Sequence, residues 1–168
     1  NTATLGWTLM QAGNAFLALG RRQRAEEAWG ELRTMAKRTG QFGLQLGSTG
    51  MDAVLTLMDG HLEEVIDMVR RMHSRGEEAG VPGAANMFAG ASNVRARVYL
   101  GRRLEALERR LREATVDPTR LLTATPVLCL VLAHLGRKDE VSEILERYVV
   151  RRPGIGTAED ETGTWLDT

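Results

Sequence analysis

An all-α chain of about eight helices, paired into four stacked antiparallel hairpins, is the fold class predicted by three features of the sequence. A glycine ends an apolar-periodic stretch and is followed five positions later by a small or β-branched residue. This happens four times: Gly20 with Ala25, Gly60 with Val65, Gly101 with Ala106 and Gly136 with Val141. The glycines recur at intervals of about 40, 41 and 35 residues, in the range of stacked helical repeats. Between them apolar residues fall at three- and four-residue spacings, and no stretch alternates as a strand would.

The elements follow in order. Leu5, Trp7, Leu9, Met10, Ala12, Phe16, Leu17 and Leu19 form a helical stripe ended by Gly20, which readily takes a left-handed cap conformation. Gly13 within it points to a neighbouring helix passing close to the backbone. The return helix, roughly 22 to 38, carries Ala25, Ala28, Trp29, Leu32 and Ala36 on one face, with Lys37 and Arg38 at the end where cations suit the macrodipole. In the second hairpin Gly43, Gly47 and Gly50 weaken helicity, so the stretch from Gln41 to Gly50 is expected to be the most irregular and the first hairpin the best packed. Met51, Val54, Leu55, Leu57 and Met58 are clearly helical, and Leu62, Val65, Ile66, Met68, Val69 and Met72 mark the return. Gly80-Val81-Pro82-Gly83 is a loop. The third hairpin runs from Ala84 to Leu100 and returns with Leu104, Leu107 and Leu111. Asp117-Pro118 restarts a helix, and Pro126 should kink it or begin a new one capped by Thr125. A last helix, 138 to 150, carries Val141, Ile144, Leu145, Tyr148 and Val149.

The expected organisation is one repeat domain over 1–153, with hairpins at about 5–40, 41–80, 84–116 and 117–153. An acidic connector at 154–164 and the start of a possible further helix at 165–168 follow, which suggests a segment of a longer array. Among the 168 residues, 43% are hydrophobic and 26% charged, as in globular proteins. Lys+Arg and Asp+Glu stand at 22 each, so no global field draws the chain to nucleic acid or an anionic membrane. The longest apolar run, Leu121 to Leu135, is too short and too polar to span a bilayer. The single cysteine, Cys129, fits a reducing, cytoplasmic compartment.

Counted from the turn glycine, these positions resemble those of tetratricopeptide-like repeats. Gly13, Phe16, Gly20, Ala25 and Trp29 match the pattern of the first hairpin well, and Cys129, Leu132, Gly136, Val141, Leu145 and Pro153 match that of the fourth. The second keeps Ala53 and Gly60; the third keeps Val94, Gly101 and Ala106 but has Arg97 and Arg110 at the aromatic positions. The turns "LGRRQRAEEAW", "LGRRLEALERRL" and "LGRKDEVSEIL" resemble the helical-repeat region that follows the ATPase in bacterial multidomain nucleotide cyclases and LuxR-type regulators. The resemblance implies a right-handed superhelix whose concave face is lined by the first helix of each hairpin. Carried over by position, that lining comprises Gln11, Asn14 and Ala18; Met51, Val54 and Met58; Ser92, Arg95 and Tyr99; and Leu130 and His134. Such a groove suits an extended or helical peptide. Asn14 stands where a carboxylate-clamp asparagine occurs in the family, but the other clamp positions are Met10 and Val54, so a C-terminal carboxylate is not the expected ligand.

Catalytic, cofactor and metal chemistry are not expected. His61 and His73 stand more than three helical turns apart, and no HExxH or CxxC pattern occurs. Cys129 occupies a small-residue packing position within an apolar helix, and the Gly43, Gly47 and Gly50 spacing fits close helix packing better than a phosphate loop. The arginines from Arg95 to Arg112 are diluted by Glu105 and Glu108 and read as a solvated face rather than a nucleic-acid surface. The expected function is therefore a non-enzymatic protein–protein interaction scaffold within a larger cytoplasmic signalling or transcription-regulatory protein, with self-association possible. The alternative is a small-molecule effector-sensing module that regulates an attached ATPase or cyclase.

Overall fold

A computed structural model describes residues 1–81, 83–116 and 121–147, the side chains of 121–123 excepted. Eight helices make up the described chain: α1 (Thr2–Ala18), α2 (Arg22–Thr39), α3 (Phe42–Met58), α4 (Leu62–Glu78), α5 (Ala84–Tyr99), α6 (Leu104–Val116), α7 (Leu121–His134) and α8 (Lys138–Leu145). No strand occurs among the described residues. The molecule divides into two compact units, Asn1–Ala96 and a second beginning at Arg97, the division falling within α5.

The turn glycines act through one repeated hydrogen-bond pattern. At the end of α1, Gly20 takes φ 70°. Its N–H donates to Leu17 O, and Arg21 N–H reaches back to Phe16 O at 2.8 Å. This is a Schellman closure, which satisfies carbonyls that the last helical turn would otherwise leave open. Gly60, Gly80, Gly101 and Gly136 repeat the same pair of bonds, each with positive φ. The Gly80 closure lies in what the sequence marks only as a loop. Hydrogen bonds from Ala25 N to Arg21 O, and from Val65 N to His61 O, then start the return helix at once. After Gly101 the start is delayed: Arg103 takes φ 54°, and the helix begins at Leu104. Ala25 and Val65 are fully buried beneath their turns, whereas Ala106 and Val141 are half-buried.

In the first unit α1 packs on α2, α2 on α3, α3 on α4, and α1 also meets α3. Glycine sockets fix these approaches. A Cβ at Gly13 would fall 2.0 Å from Trp29 Nε1, and Trp29 is 1% exposed, donating to Met10 O at 3.3 Å. One at Gly6 would fall 2.3 Å from Leu44 Cδ2, and one at Gly47 2.8 Å from Met10 Sδ. Gly6 thus receives Leu44 and Gly47 receives Met10. The partner residue advances along α3 as the residue advances along α1, so the two helices run parallel. Gly50 lies under Phe88, where a Cβ would fall 2.7 Å from the backbone oxygen.

Two expectations need correction, both in α3. The stretch from Gln41 to Gly50 is not irregular: α3 is continuous from Phe42 to Met58. Tertiary contact at Gly47 and Gly50 outweighs their low intrinsic propensity. Gly43, by contrast, has open space around it and takes no part in close packing. The first hairpin is the most closely packed, as expected: α1 and α2 form the most extensive helix pair and supply Met10, Ala25, Trp29, Leu32, Met35 and Ala36 to the core cluster, while Leu46, Val65, Val69 and Met72 are buried beyond it. Of the two alternatives at Pro126, the start of a new helix is not seen: the proline lies inside α7. The expected N-cap at Asp117-Pro118, the end of the last helix beyond 147, the connector at 154–164 and the possible helix at 165–168 lie outside the described residues.

In the second unit α6 packs on α7 and α7 on α8, around Leu104, Ala124, Leu128, Val131 and Leu132. None of the helices is long and apolar enough to cross a membrane among the described residues.

The socket account makes a signed prediction. Gly50→Ala places a methyl group against the Phe88 backbone, which cannot swing aside, and should destabilise the first unit by about 1–3 kcal/mol. Gly30→Ala, in the middle of α2 with open space around it, should stabilise by up to about 1 kcal/mol through helix propensity. Urea denaturation of both variants checks this, and two shifts of the same sign would sink it.

Candidate protein-binding surface

The residues expected to line a groove fall into three groups. Gln11 and Ala18 are exposed on α1 and Asn14 is half-buried beside them. The spacing 11, 14, 18 puts the three on one flank of the helix. Met58 is exposed at the end of α3, while Val54 is half-buried and packs against the core. Gly6 faces Leu44 and Met10 faces Gly47, so this flank of α1 runs parallel to α3.

The second group is interior. Met51 and Ser92 are buried and present no surface to a partner. Their helix positions match the family offset, but each faces its own unit's core. Arg95 is half-buried and already engaged in the fold. The third group belongs to the second unit: Tyr99 is 65% exposed, Leu130 is partly exposed, and exposed His134 has Nδ1 2.9 Å from Leu130 O.

One residue absent from the sequence-based set stands out. Trp7 precedes Gln11 by one turn on the same flank and is 53% exposed. In the sequence it reads as part of the apolar interior stripe, although its four-residue spacing from Gln11 marks the shared line. The helix that carries it, TATLGWTLMQAGNAFLA, contains no charged residue. An indole, two amide side chains and a small Ala18 thus make an uncharged, amphipathic strip along α1.

Ion pairs frame the first unit rather than this strip. Arg22 at the start of α2 grips Asp59 at the end of α3 with two bonds of 2.6 and 2.9 Å and also bonds Glu26. Arg33 pairs with Asp52. Hydrogen bonds from Arg22 hold the Asp59 carboxyl below its ordinary range.

The second unit carries a closed ring of four charges. Glu108, only 8% exposed, accepts from Arg112 and, at 3.1 Å, from Arg137. Glu140 accepts from the same two arginines, at 2.5 Å from Arg112. The ring ties α6 to the α7–α8 turn and leaves the buried carboxylate fully paired, as burial of a charge requires. Beside it opens a cleft of about 200 Å³ lined by Arg112, Thr115, Thr125, Leu128, Glu140, Glu143, Ile144 and Arg147. Cys129 is half-buried nearby on α7, and burial pushes its thiol up, away from the reactive thiolate form. Among the described residues no group of His, Cys, Asp and Glu is arranged to hold a metal ion.

Comparison of the chain with protein-family models, with curated proteins and with solved structures returned no match.

The ring gives a pH dependence with a definite sign. Hydrogen bonds from Arg112 lower the Glu108 carboxyl, and those from Arg137 and Arg112 lower Glu140. Carboxylates depressed in the folded state contribute stability that is fully present above the ordinary glutamate value of 4.5 and is lost as pH falls through the native values. Denaturation midpoints measured from pH 7 down to pH 3 should therefore show Glu108→Gln less stable at neutral pH, with the two proteins converging below about pH 4.5. A gap that does not change with pH would refute the linkage.

Proposed function

We propose that the chain is a non-enzymatic protein-interaction module whose hairpins stack in the tetratricopeptide manner as a right-handed superhelix. It takes an extended or helical peptide segment of a partner along the flank of α1 that adjoins α3. The observation that carries this reading is Trp7, half exposed on a charge-free helix in line with Gln11, Asn14 and Ala18. An indole offers a large apolar face at little conformational cost, and tryptophan is among the residues most enriched at binding hot spots. The amides of Gln11 and Asn14 can pair with the backbone of a peptide laid across them, one donating and one accepting at each amide. Met58 adds an adaptable apolar contact at the end of the neighbouring helix. The glycine-arginine turns favour a setting in a cytoplasmic signalling or transcription-regulatory protein.

A second reading, small-molecule effector sensing, draws on the cleft beside the charge ring of the second unit. Its volume lies below the roughly 300–1,000 Å³ of ordinary ligand pockets, which favours the first reading. A thermal-shift screen separates the two, because a ligand of the folded state raises the melting temperature without any partner protein.

Peptides selected from a displayed library on the immobilised chain should lose affinity by about 2 kcal/mol or more, roughly thirtyfold, on Trp7→Ala, while the unfolding midpoint stays nearly unchanged. Selected peptides that bind the variant as tightly as the parent would remove α1 from the binding surface.

A further inference from the structure

The cleft of the second unit is bordered by charged groups whose bonds within the fold use only part of their capacity. Arg112 donates from Nε to Glu108 and from Nη2 to Glu140, and these bonds leave Nη1 over. Two carboxylates on different helices hold this guanidinium, so its position is set before any ligand arrives. Glu143 lies three residues beyond Glu140 on α8, which puts the two side chains about 5–6 Å apart on one face. It is exposed and has no ion-pair partner among the described residues. One cleft thus offers a held guanidinium and, close by, an unpaired carboxylate.

The rest of the lining narrows the chemistry. Leu128 is buried and Ile144 half-buried, and both present hydrocarbon to the cleft. Thr115 donates its hydroxyl to Arg112 O at 2.8 Å and keeps lone pairs that can accept. The charges along the wall, from Arg112, Arg147, Glu140 and Glu143, sum to zero. A ligand with net charge would therefore enter uncompensated, whereas one carrying both signs meets a partner for each. The volume of about 200 Å³ sets the size. At about 30 Å³ per water it is room for roughly six or seven waters, hence for a ligand of about as many non-hydrogen atoms.

We propose that this cleft binds a free α-amino acid with a short aliphatic side chain, between alanine and valine in size. Its carboxylate accepts from Arg112, its ammonium donates to Glu143, and its side chain lies against Leu128 and Ile144. The proposal deepens the effector reading and rests on it only in placing a ligand here; peptide binding along α1, in the first unit, is separate.

The test titrates L-valine into the full chain while NMR follows the methyl groups of Leu128 and Ile144. Saturable shifts at millimolar valine are expected there, with none at Leu44 or Leu46 in the first unit. Isovalerate, which is valine without its ammonium, and isobutylamine, which is valine without its carboxylate, should each bind about tenfold more weakly or worse, because each loses a charge-assisted bond. L-Phenylalanine, too large for the cleft, should not bind. Glu143→Gln should weaken valine by the same factor and leave isovalerate unchanged. Glu143 is exposed, and the comparison of ligands on the parent chain needs no variant at all. No saturable shift at tens of millimolar valine, isovalerate binding as tightly as valine, or valine binding indifferent to Glu143→Gln overturns the proposal. Binding of a different class of small molecule at the same methyl groups, without binding of valine, overturns the ligand class and leaves the effector reading standing.

Discussion

Large side chains set directly on bare helix backbone hold the first unit together, and most of its geometry follows from them. Trp29 sits on Gly13, Leu44 on Gly6 and Met10 on Gly47, while at Gly50 the backbone of Phe88 itself makes the close approach. A glycine inside a helix costs about 1 kcal/mol of propensity against alanine. Burying a large apolar side chain contributes about 1.5–3 kcal/mol, so each occupied socket is favourable on balance. The sockets also act in two directions, since α1 receives a side chain from α3 at Gly6 and α3 receives one from α1 at Gly47. Such reciprocal insertion fixes both separation and register. A sliding of α1 by one turn would drive Met10 or Leu44 into a residue that has a Cβ.

Polar contacts between helices add registration rather than much stability. Arg22, Asp59 and Glu26 are each about two-fifths exposed, and pairs of that kind contribute little on average. Their placement is informative all the same. Arg22 opens α2 directly after the first turn, and Asp59 closes α3 directly before the second. The bidentate bond therefore links consecutive turns, and its planar fork admits few other alignments. The ring of Glu108, Arg112, Arg137 and Glu140 does the same work in the second unit with a different chemistry, because there a carboxylate is buried and must be paired. The positive φ of Arg103 accompanies this change. The return helix begins one residue later than after Gly20 or Gly60, and Leu104 and Glu108 take buried positions while Ala106 does not.

Much of the fold was legible from the turns, because a glycine that must be left-handed and a close-packed residue five positions later are local demands that leave a mark on sequence. The sites of Gly20 and Gly60, with Ala25 and Val65 buried five positions on, are examples of both, and Gly101 and Gly136 of the first. The continuity of α3 was not legible, since whether a helical glycine is a defect or a socket depends on a side chain far away in sequence, such as Met10 or Phe88. Gly43 and Gly47 look alike locally and differ in what faces them. The candidate surface was legible only in part for a related reason. Offset from the turn places Gln11 and Met51 on corresponding lines, but only the packing around each decides that Gln11 meets solvent and Met51 the core. Trp7 went the other way: hydrophobicity assigns it to the interior, and the position of its helix leaves it outside.

The distribution of charge along the chain bears on which faces meet water. Among the second helices, α2 carries Arg22, Arg24, Glu26, Glu27, Glu31, Arg33, Lys37 and Arg38, and α4 carries Glu63, Glu64, Asp67, Arg70, Arg71, Arg75, Glu77 and Glu78. Among the first helices, α1 carries no acidic or basic side chain, α3 has Asp52 alone, α7 has none besides His134, and α5 has Arg95 and Arg97. Solvation of a surface helix is normally secured by charge on its outer face. The second helices α2 and α4 meet that requirement, and α1, α3 and α7 do not. A first helix is therefore suited to being covered by protein, and α3 and α7 are covered by the helices that precede them. α1, by contrast, leaves Leu5, Trp7 and Leu19 in solvent on a helix without a charged side chain. Charge-free composition and exposure together, rather than either alone, single it out.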